Sequence, residues 1–501
     1  VEPQSSGIGG GGFMLYYDAE TKAVQVFDGR ETAPANMPSS AFLNADGNPR
    51  PFFDALPGGL SVGTPGLLRM LEMAHNRHGS KPWKSLFSDA ITLSGEGFPM
   101  SPRLHHLLES ISEHMQQFPD SIRPFTDANG KWLDVGKKVV NKPLSLTLGS
   151  IAEAGVKPFY EGEIAQDMVH AVRQAKPNPG YLSLDDLKHY RAIERKPVCA
   201  PYRQYTVCSM PPPSSGGVTI LQALGILEHL PVDIATLEPL SADAVHLFAE
   251  ASKLAYADRN RYLADPAFEA VPVAQMLDNT YLASRARLVS EHYAMDKALP
   301  GVFGQNHAQA PFQEEHPSTT HISVVDGEGN AVSMTTSIEY GFGSGLSADG
   351  FLLNNQLTDF SFSPTLSDGQ TPHPNRVEGG KRPRSSMSPT IVLDKNRNLV
   401  AAIGSPGGAR IIEYTLQSLV GILAWNMDVQ AAINLPHYLN MNGPTELEAG
   451  TSLEGIAEAL ETRGHAVKVM DTPSGLHGIV KTATGLAGGA DPRREGVALG
   501  E

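Results

Sequence analysis

The residues best placed to do chemistry gather around Thr319, in the run His316-Pro317-Ser318-Thr319-Thr320-His321. Ser318 ends a loop, and Thr319 to Val325 alternate with strand period. Asp326-Gly327-Glu328-Gly329-Asn330 then turns the chain into a second strand at Ala331 to Ile338. A threonine hydroxyl attacks a carbonyl only once a base takes its proton. The α-amine of the same residue can be that base, because a pKa of about 8 leaves it partly neutral at physiological pH. Such an amine exists only if the bond between Ser318 and Thr319 is cut. Taken alone, a Thr-Thr pair at a strand start ordinarily does no more than pack. Downstream, however, polar groups and bare backbone recur between short strands: Gly341-Phe342-Gly343-Ser344-Gly345, Asn354-Asn355-Gln356, Asp359, Ser385-Ser386-Met387-Ser388-Pro389 and Gly404-Ser405-Pro406-Gly407-Gly408.

The strings TTHISVVDGEGNAVSMT, LLNNQLTDF, KRPRSSMSPTIV and GSPGGARII follow in that order. Upstream stand PQSSGIGGGGFM (Pro3 to Met14), FDGRETAPA (Phe27 to Ala35), MPPPSSGG (Met210 to Gly217) and EASKLAYADRNRYLADP (Glu250 to Pro266). Together they resemble the gamma-glutamyltranspeptidase family of N-terminal-nucleophile hydrolases over nearly the whole chain. The resemblance implies an α/β layered fold, an αββα sandwich of two mainly antiparallel sheets flanked by helices. It implies self-cleavage at Ser318-Thr319 into a large subunit, 1–318, and a small subunit, 319–501, that form one structural domain. Thr319 is then the nucleophile, supported by Ser337, and the N–H groups of Gly407 and Gly408 face the developing oxyanion. The donor's α-carboxylate falls to Arg30 with Ser385 and Ser386, and its α-ammonium to Asp359 and Gln356. By its residues alone Arg30 reads as a surface ion pair with Glu31 or a neighbour. The implied donor is glutathione or another γ-glutamyl amide, with water or an amino acid or peptide as acceptor. No cofactor or metal is implied, the implied location is periplasmic or secreted, and the family's N-terminal helix and any leader are expected upstream of Val1.

Two positions depart from the family pattern. Glu339 stands where the best-known members carry an asparagine that contacts the donor's amino group. The stretch between Asp359 and Ser385 carries Pro372 and Pro374 and no tyrosine. Both weaken the expectation of transfer to an acceptor peptide and leave open a cephalosporin or glutaryl acylase.

Composition narrows the alternatives. In 501 residues, 41% hydrophobic and 19% charged residues fit a soluble globular chain that can bury a large core. A formal charge of −15, with no basic run longer than Lys381-Arg382-Pro383-Arg384, argues against nucleic acid or an anionic membrane as partner. No apolar run is long enough to span a bilayer. Cys199 and Cys208 flank a hairpin at Ala200 to Gln204, and two unpaired, part-buried thiols are expected, with a cross-strand disulfide as the alternative. Gly7-Ile8-Gly9-Gly10-Gly11-Gly12, with Asp28 about twenty residues on, matches the dinucleotide-binding pattern. That pattern must open a helix, whereas Phe13 to Tyr17 and Ala23 to Phe27 read as a strand hairpin, so nucleotide binding is not expected.

Helical spacing appears over Gly66 to Gly79, Ser101 to Gln117, Val218 to Leu230, Ile411 to Trp425 and Leu453 to Arg463, and in two short helices between Gly149 and Lys176. His75, His78, His105, His106 and His114 fall among polar residues and read as solvated. Ser241 caps a long helix toward Arg261 with an apolar stripe through Ala244, Leu247, Phe248, Ala251, Leu254 and Ala255. Pro211-Pro212-Pro213 cannot be regular structure and makes a rigid shelf ahead of the helix at Val218. Asp296 to Glu315 is irregular and polar, as an accessible processing segment would be.

Overall fold

In the computed structural model of the protein, which describes residues 2–303 and 318–500, the glycine run leads into a strand and not a helix. β1 (Gly11–Asp18) turns through Ala19 to Lys22 into antiparallel β2 (Ala23–Asp28), so the geometry of a dinucleotide loop is absent there. The remaining strands of the two main sheets are β3 (Ile193–Arg195), β4 (Val198–Tyr202), β5 (Tyr205–Ser209), β6 (Thr320–Val325), β7 (Ala331–Ser337), β8 (Thr390–Leu393), β9 (Leu399–Gly404), β10 (His477–Thr482) and β11 (Gly485–Ala490). They form one sheet in the order β3-β2-β1-β7-β6 and a second in the order β11-β10-β9-β8-β5-β4. Every pairing in both is antiparallel. Each sheet mixes strands from before and after Thr319. The 304–315 part of the expected processing segment lies outside the described residues.

Alternation along β1 builds the layers. Phe13, Leu15 and Tyr17 point between the sheets, where they join Met210, Ile391, Leu393 and Ala402. Met14 points the other way, against Leu67 and Met70 of α1 (Leu67–His78). On the far side, α2 (Gly216–Glu228), α3 (Ala242–Tyr262) and α4 (Ile411–Leu423) pack with Val207, Val392 and Ile403 of the second sheet. Helix, sheet, sheet and helix layers are the αββα order that the family resemblance implies.

The capping serine of α3 is where the spacing predicts: Ser241 Oγ accepts from Ala244 N–H at 3.2 Å. Burial, however, extends round the helix beyond the apolar stripe, taking in His246, Glu250, Lys253, Asp258 and Arg259. These groups find partners inside, as Lys253 Nζ donates to Glu250 Oε1 at 2.7 Å and Gln222 Nε2 to Asp258 Oδ2 at 2.8 Å. Two further expectations are corrected. Cys199 and Cys208 are joined in a disulfide and are not free thiols; they sit directly opposite in the β4–β5 register, which brings their sulfur atoms within bonding reach. His78 is not simply solvated: its ring stacks on Tyr16 at 4.1 Å and bonds Gln25 Oε1 at 2.8 Å. No helix among the described residues is long and apolar enough to cross a membrane.

Glu413, buried in α4, accepts from Ser252 Oγ at 2.9 Å, and burial pushes its carboxyl up to about 8. A raised carboxyl favours the folded state below its unfolded value of 4.5, and that contribution is lost as pH rises toward about 8, at roughly 1.4 kcal/mol per pH unit. Glu413→Gln keeps an acceptor for Ser252 and removes the ionisation. Its melting temperature is expected to match the parent near pH 5 and to exceed it at pH 8.5; equal values at both would contradict the protonated carboxyl.

Candidate active site

Register brings Thr319 and Ser337 together. Thr320 pairs with Thr336 across β6 and β7, so the residues just beyond, one entering β6 and one leaving β7, lie side by side with their hydroxyls 3.0 Å apart. Ser337 Oγ also accepts the N–H of Glu339 at 2.9 Å, which fixes that hydroxyl beside Thr319 Oγ1. Thr319 has φ 87°, a costly conformation for a β-branched residue, on the order of 1–3 kcal/mol. The carbonyl on either side of it is held. Gly407 N–H donates to Ser318 O at 3.1 Å, and Arg494 Nη1 donates to Thr319 O at 2.9 Å. Gly407 itself has φ 138°, and a Cβ there would lie 2.7 Å from the Tyr414 ring, so a side chain would push this N–H out of place.

Arg30 follows β2 and is fully buried, so the surface ion pair expected from its residues alone is not what it makes. Its Nη2 meets Asp359 Oδ2 at 2.5 Å and the carbonyl of Arg384 at 2.9 Å, and its Nε meets Pro383 O at 3.1 Å. Glu31 lies 3.8 Å from Nη1, and burial raises its carboxyl to about 8. Asp359 closes a short 3₁₀ turn begun by Gln356, whose Nε2 donates to the same Asp359 oxygen at 2.7 Å. Asn354 anchors that turn by accepting from Gln356 N–H at 2.9 Å while donating to Gly9 O at 2.8 Å and Gly63 O at 2.9 Å.

Ser385 and Ser386 ride on the proline shelf. Ser215 donates to Ser385 O through both its N–H and its Oγ, each at 2.7 Å, and Ser214 Oγ donates to Met387 O at 2.6 Å. Arg259 of α3 ties shelf and loop together, donating to Ser215 Oγ at 2.9 Å and to Ser386 Oγ at 2.6 Å. The neighbouring Lys381 to Arg384 run is no surface patch, since Lys381, Arg382 and Arg384 are buried. Lys381 Nζ donates to Glu378 Oε1 at 3.0 Å, and Arg382 Nε approaches Asp28 Oδ2 at 3.5 Å.

One cavity is lined by Arg30, Thr319, Ser337, Glu339, Gln356, Asp359, Ser385, Ser386 and Gly408, with Met387 and Ile411 as its apolar wall. Every side chain singled out from the sequence for the donor pocket reaches it, while Gly407 and Ser318 meet just behind Thr319. Glu339 shares the cavity with Asp359 and accepts from Asn355 Nδ2, whose own Oδ1 accepts from Tyr340 N–H at 2.9 Å. Sequence reasoning missed Arg259, Asn355 and Arg494. The first looks like one more charge on a helix, and the third lies in a terminal Asp491-Pro492-Arg493-Arg494 turn with no signal of its own.

Outside the cavity, His246, Glu250 and His465 bring potential metal-ligand atoms within 4.8 Å of one another. A hydrogen-bond chain already uses them: His246 Nε2 donates to Ser290 O at 2.7 Å, His246 Nδ1 meets His465 Nε2 at 2.8 Å, and His465 Nδ1 meets Thr445 Oγ1 at 2.8 Å. With Lys253 on Glu250, this cluster fits a metal poorly.

The comparisons agree with this geometry. The family model described as Gamma-glutamyltranspeptidase matches residues 1–501. The glutathione hydrolase proenzyme of Escherichia coli strain K12 is 36% identical over 504 residues, 98% of this chain and 84% of the relative. That of Bacillus subtilis strain 168 is 33% identical over 517 residues, covering 100% and 85%. The crystal structure of cephalosporin acylase from Bacillus halodurans superposes with a TM-score of 0.84 at 26% identity, over 98% of this chain and 87% of that one. A match that runs from end to end, on a sandwich whose sheets meet around Thr319, leaves one assignment: the chain belongs to the gamma-glutamyltranspeptidase family of N-terminal-nucleophile hydrolases.

Proposed function

We propose that this protein is a self-processing γ-glutamyl hydrolase or transpeptidase that works through a Thr319 acyl-enzyme. In the first stage Thr319 Oγ1 attacks the carbonyl carbon of Ser318. The C–N bond breaks as the acyl group moves to oxygen, and water hydrolyses the ester, leaving subunits 1–318 and 319–501. Gly407 N–H already donates to the oxygen that becomes the oxyanion, at 3.1 Å. In the second stage the freed α-amine takes the Thr319 proton, Oγ1 attacks the γ-amide carbon of glutathione or a similar donor, and the amine leaves. Water or an amino acid or peptide then takes the acyl group. The Cys199–Cys208 disulfide supports a periplasmic or secreted setting, since such bonds persist in oxidising compartments.

The observation that carries this reading is the Arg30–Asp359 pair inside the cavity that Thr319 lines. An α-amino acid head offers a carboxylate and an ammonium to these two charges in turn. Glu339 adds a second carboxyl group to the cavity beside Asp359, an arrangement suited to a ligand bearing an ammonium. Lys381 pairs with Glu378, and Arg382 approaches Asp28.

A glutaryl or cephalosporin acylase is the second reading, favoured by the likeness to the Bacillus halodurans structure. The test sets γ-glutamyl, N-acetyl-γ-glutamyl and glutaryl anilides side by side. Removing the ammonium strips the substrate of a charge-assisted contact with Asp359, about 2–5 kcal/mol, so kcat/KM is expected to fall roughly thirty-fold or more for both amine-free substrates. Glu339→Gln, which retains one hydrogen-bonding oxygen, is expected to raise KM for the γ-glutamyl compound only modestly. Glutaryl turnover equal to or above γ-glutamyl turnover would move the assignment to an acylase.

A further inference from the structure

Arg494 is buried, yet its guanidinium is directed at a neutral peptide oxygen. Nη1 donates to Thr319 O at 2.9 Å, the nearest carboxylate is Glu2 at 3.9 Å, and Nε is buried without a hydrogen-bond partner. An incompletely matched buried charge is costly and is kept only where the surroundings impose it. Here they do. The turn that carries Arg494 is pinned at Asp491, whose Oδ2 accepts from Ser474 Oγ at 2.5 Å and Leu476 N–H at 3.1 Å. Arg493 locks it further with two bonds to Glu448, at 2.6 and 2.8 Å. The Arg494 stem lies in a notch at Gly475, where a Cβ would come 2.6 Å from both Arg494 Cδ and Pro406 Cγ. Pro406 precedes Gly407, so the segments that hold the carbonyls of Ser318 and Thr319 both pack against Gly475.

We propose that Arg494 is a positioning residue that sets the nucleophile through the Thr319 carbonyl, both before and after self-cleavage. This inference rests on the Thr319 reading. Of the groups on Thr319, the amide nitrogen becomes an amine and Oγ1 is acylated and released, whereas the carbonyl stays unchanged throughout. A donor fixed on that oxygen can hold the φ 87° backbone in the precursor and aim amine and hydroxyl in the mature enzyme. Thr320 is fastened separately, its Oγ1 donating to Glu2 Oε2 at 2.7 Å, so the bond from Arg494 acts on Thr319 itself.

The test follows the full chain by intact mass from first purification and then measures kcat and KM with a γ-glutamyl anilide. Arg494→Ala is expected to slow self-cleavage and, in the matured fraction, to lower kcat, each by roughly ten-fold or more, with KM within about two-fold of the parent. Methylguanidinium added to the alanine variant should restore part of both rates, which a general loss of structure would not allow. Arg494→Lys, which keeps the stem and charge but not the planar fork, reads the same quantities should the alanine variant not fold, and a ten-fold fall in its kcat is likewise expected. Self-cleavage and kcat within about two-fold of the parent in both variants would overturn the inference, as would slowing that guanidinium does not relieve. Thr319→Ala separates the two levels. If it cleaves, the nucleophile reading fails; if it stays whole while the Arg494 variants behave as the parent, only the present inference fails.

Discussion

Thr319→Ala is expected to remain a single chain with no measurable turnover of a γ-glutamyl anilide, the largest effect foreseen for any single change. Alanine keeps the backbone atoms that Gly407 and Arg494 hold, at 3.1 and 2.9 Å, and loses, with the γ-methyl, the hydroxyl that starts the acyl shift and later carries the acyl group. Thr319→Ser keeps the hydroxyl and is expected to cleave at the same bond. Intact mass and N-terminal sequencing of the small subunit read both outcomes. A small subunit beginning anywhere but residue 319, or cleavage of the alanine variant, would remove Thr319 from its role.

The second large effect is expected at the Arg30–Asp359 pair. Each is the other's partner at 2.5 Å, with Arg30 fully buried, so removing one takes this contact from the other as well as stripping the donor of its own. Arg30→Ala and Asp359→Ala are each expected to lower kcat/KM for γ-glutamyl anilide by roughly thirty-fold or more, from about 2–5 kcal/mol per lost charge-assisted contact. Self-cleavage should persist, because neither side chain bonds the Ser318 or Thr319 carbonyls. The double variant gives the discriminating figure. Two residues acting on one ligand head and on each other should show a combined loss smaller than the product of the single losses. Fully multiplicative losses would mean that they act on separate things, and wild-type kcat/KM in both single variants would end the γ-glutamyl assignment.

Local chemistry along the chain determined a good deal. Alternating residues in Thr319 to Val325 and Ala331 to Ile338, with Asp326 to Asn330 between them, are sufficient for a hairpin, and β6 and β7 form it. Ser241 declares the start of α3, and the β-rich runs after Gly12 rule out a phosphate-binding helix. Collinear motifs carried the site further than periodicity could, because the donor-pocket side chains are short-range features attached to recognisable strings. Long-range register was decided only by the tertiary structure. Nothing in nine residues of spacing says that Cys199 and Cys208 face one another, since that depends on which residues of β4 and β5 pair. Nothing in α3 says that its charged side is buried, because its apolar stripe already satisfies an amphipathic helix; only the packing around it puts Arg259 under Ser386. Arg494 stands 175 positions from Thr319, in a turn whose residues look like any polar terminus, and its hydrogen bond exists because β10 and β11 return the chain to the loop that carries Gly407. Spacing within an element is written in adjacent residues, whereas which group meets the nucleophile is set by how distant elements stack.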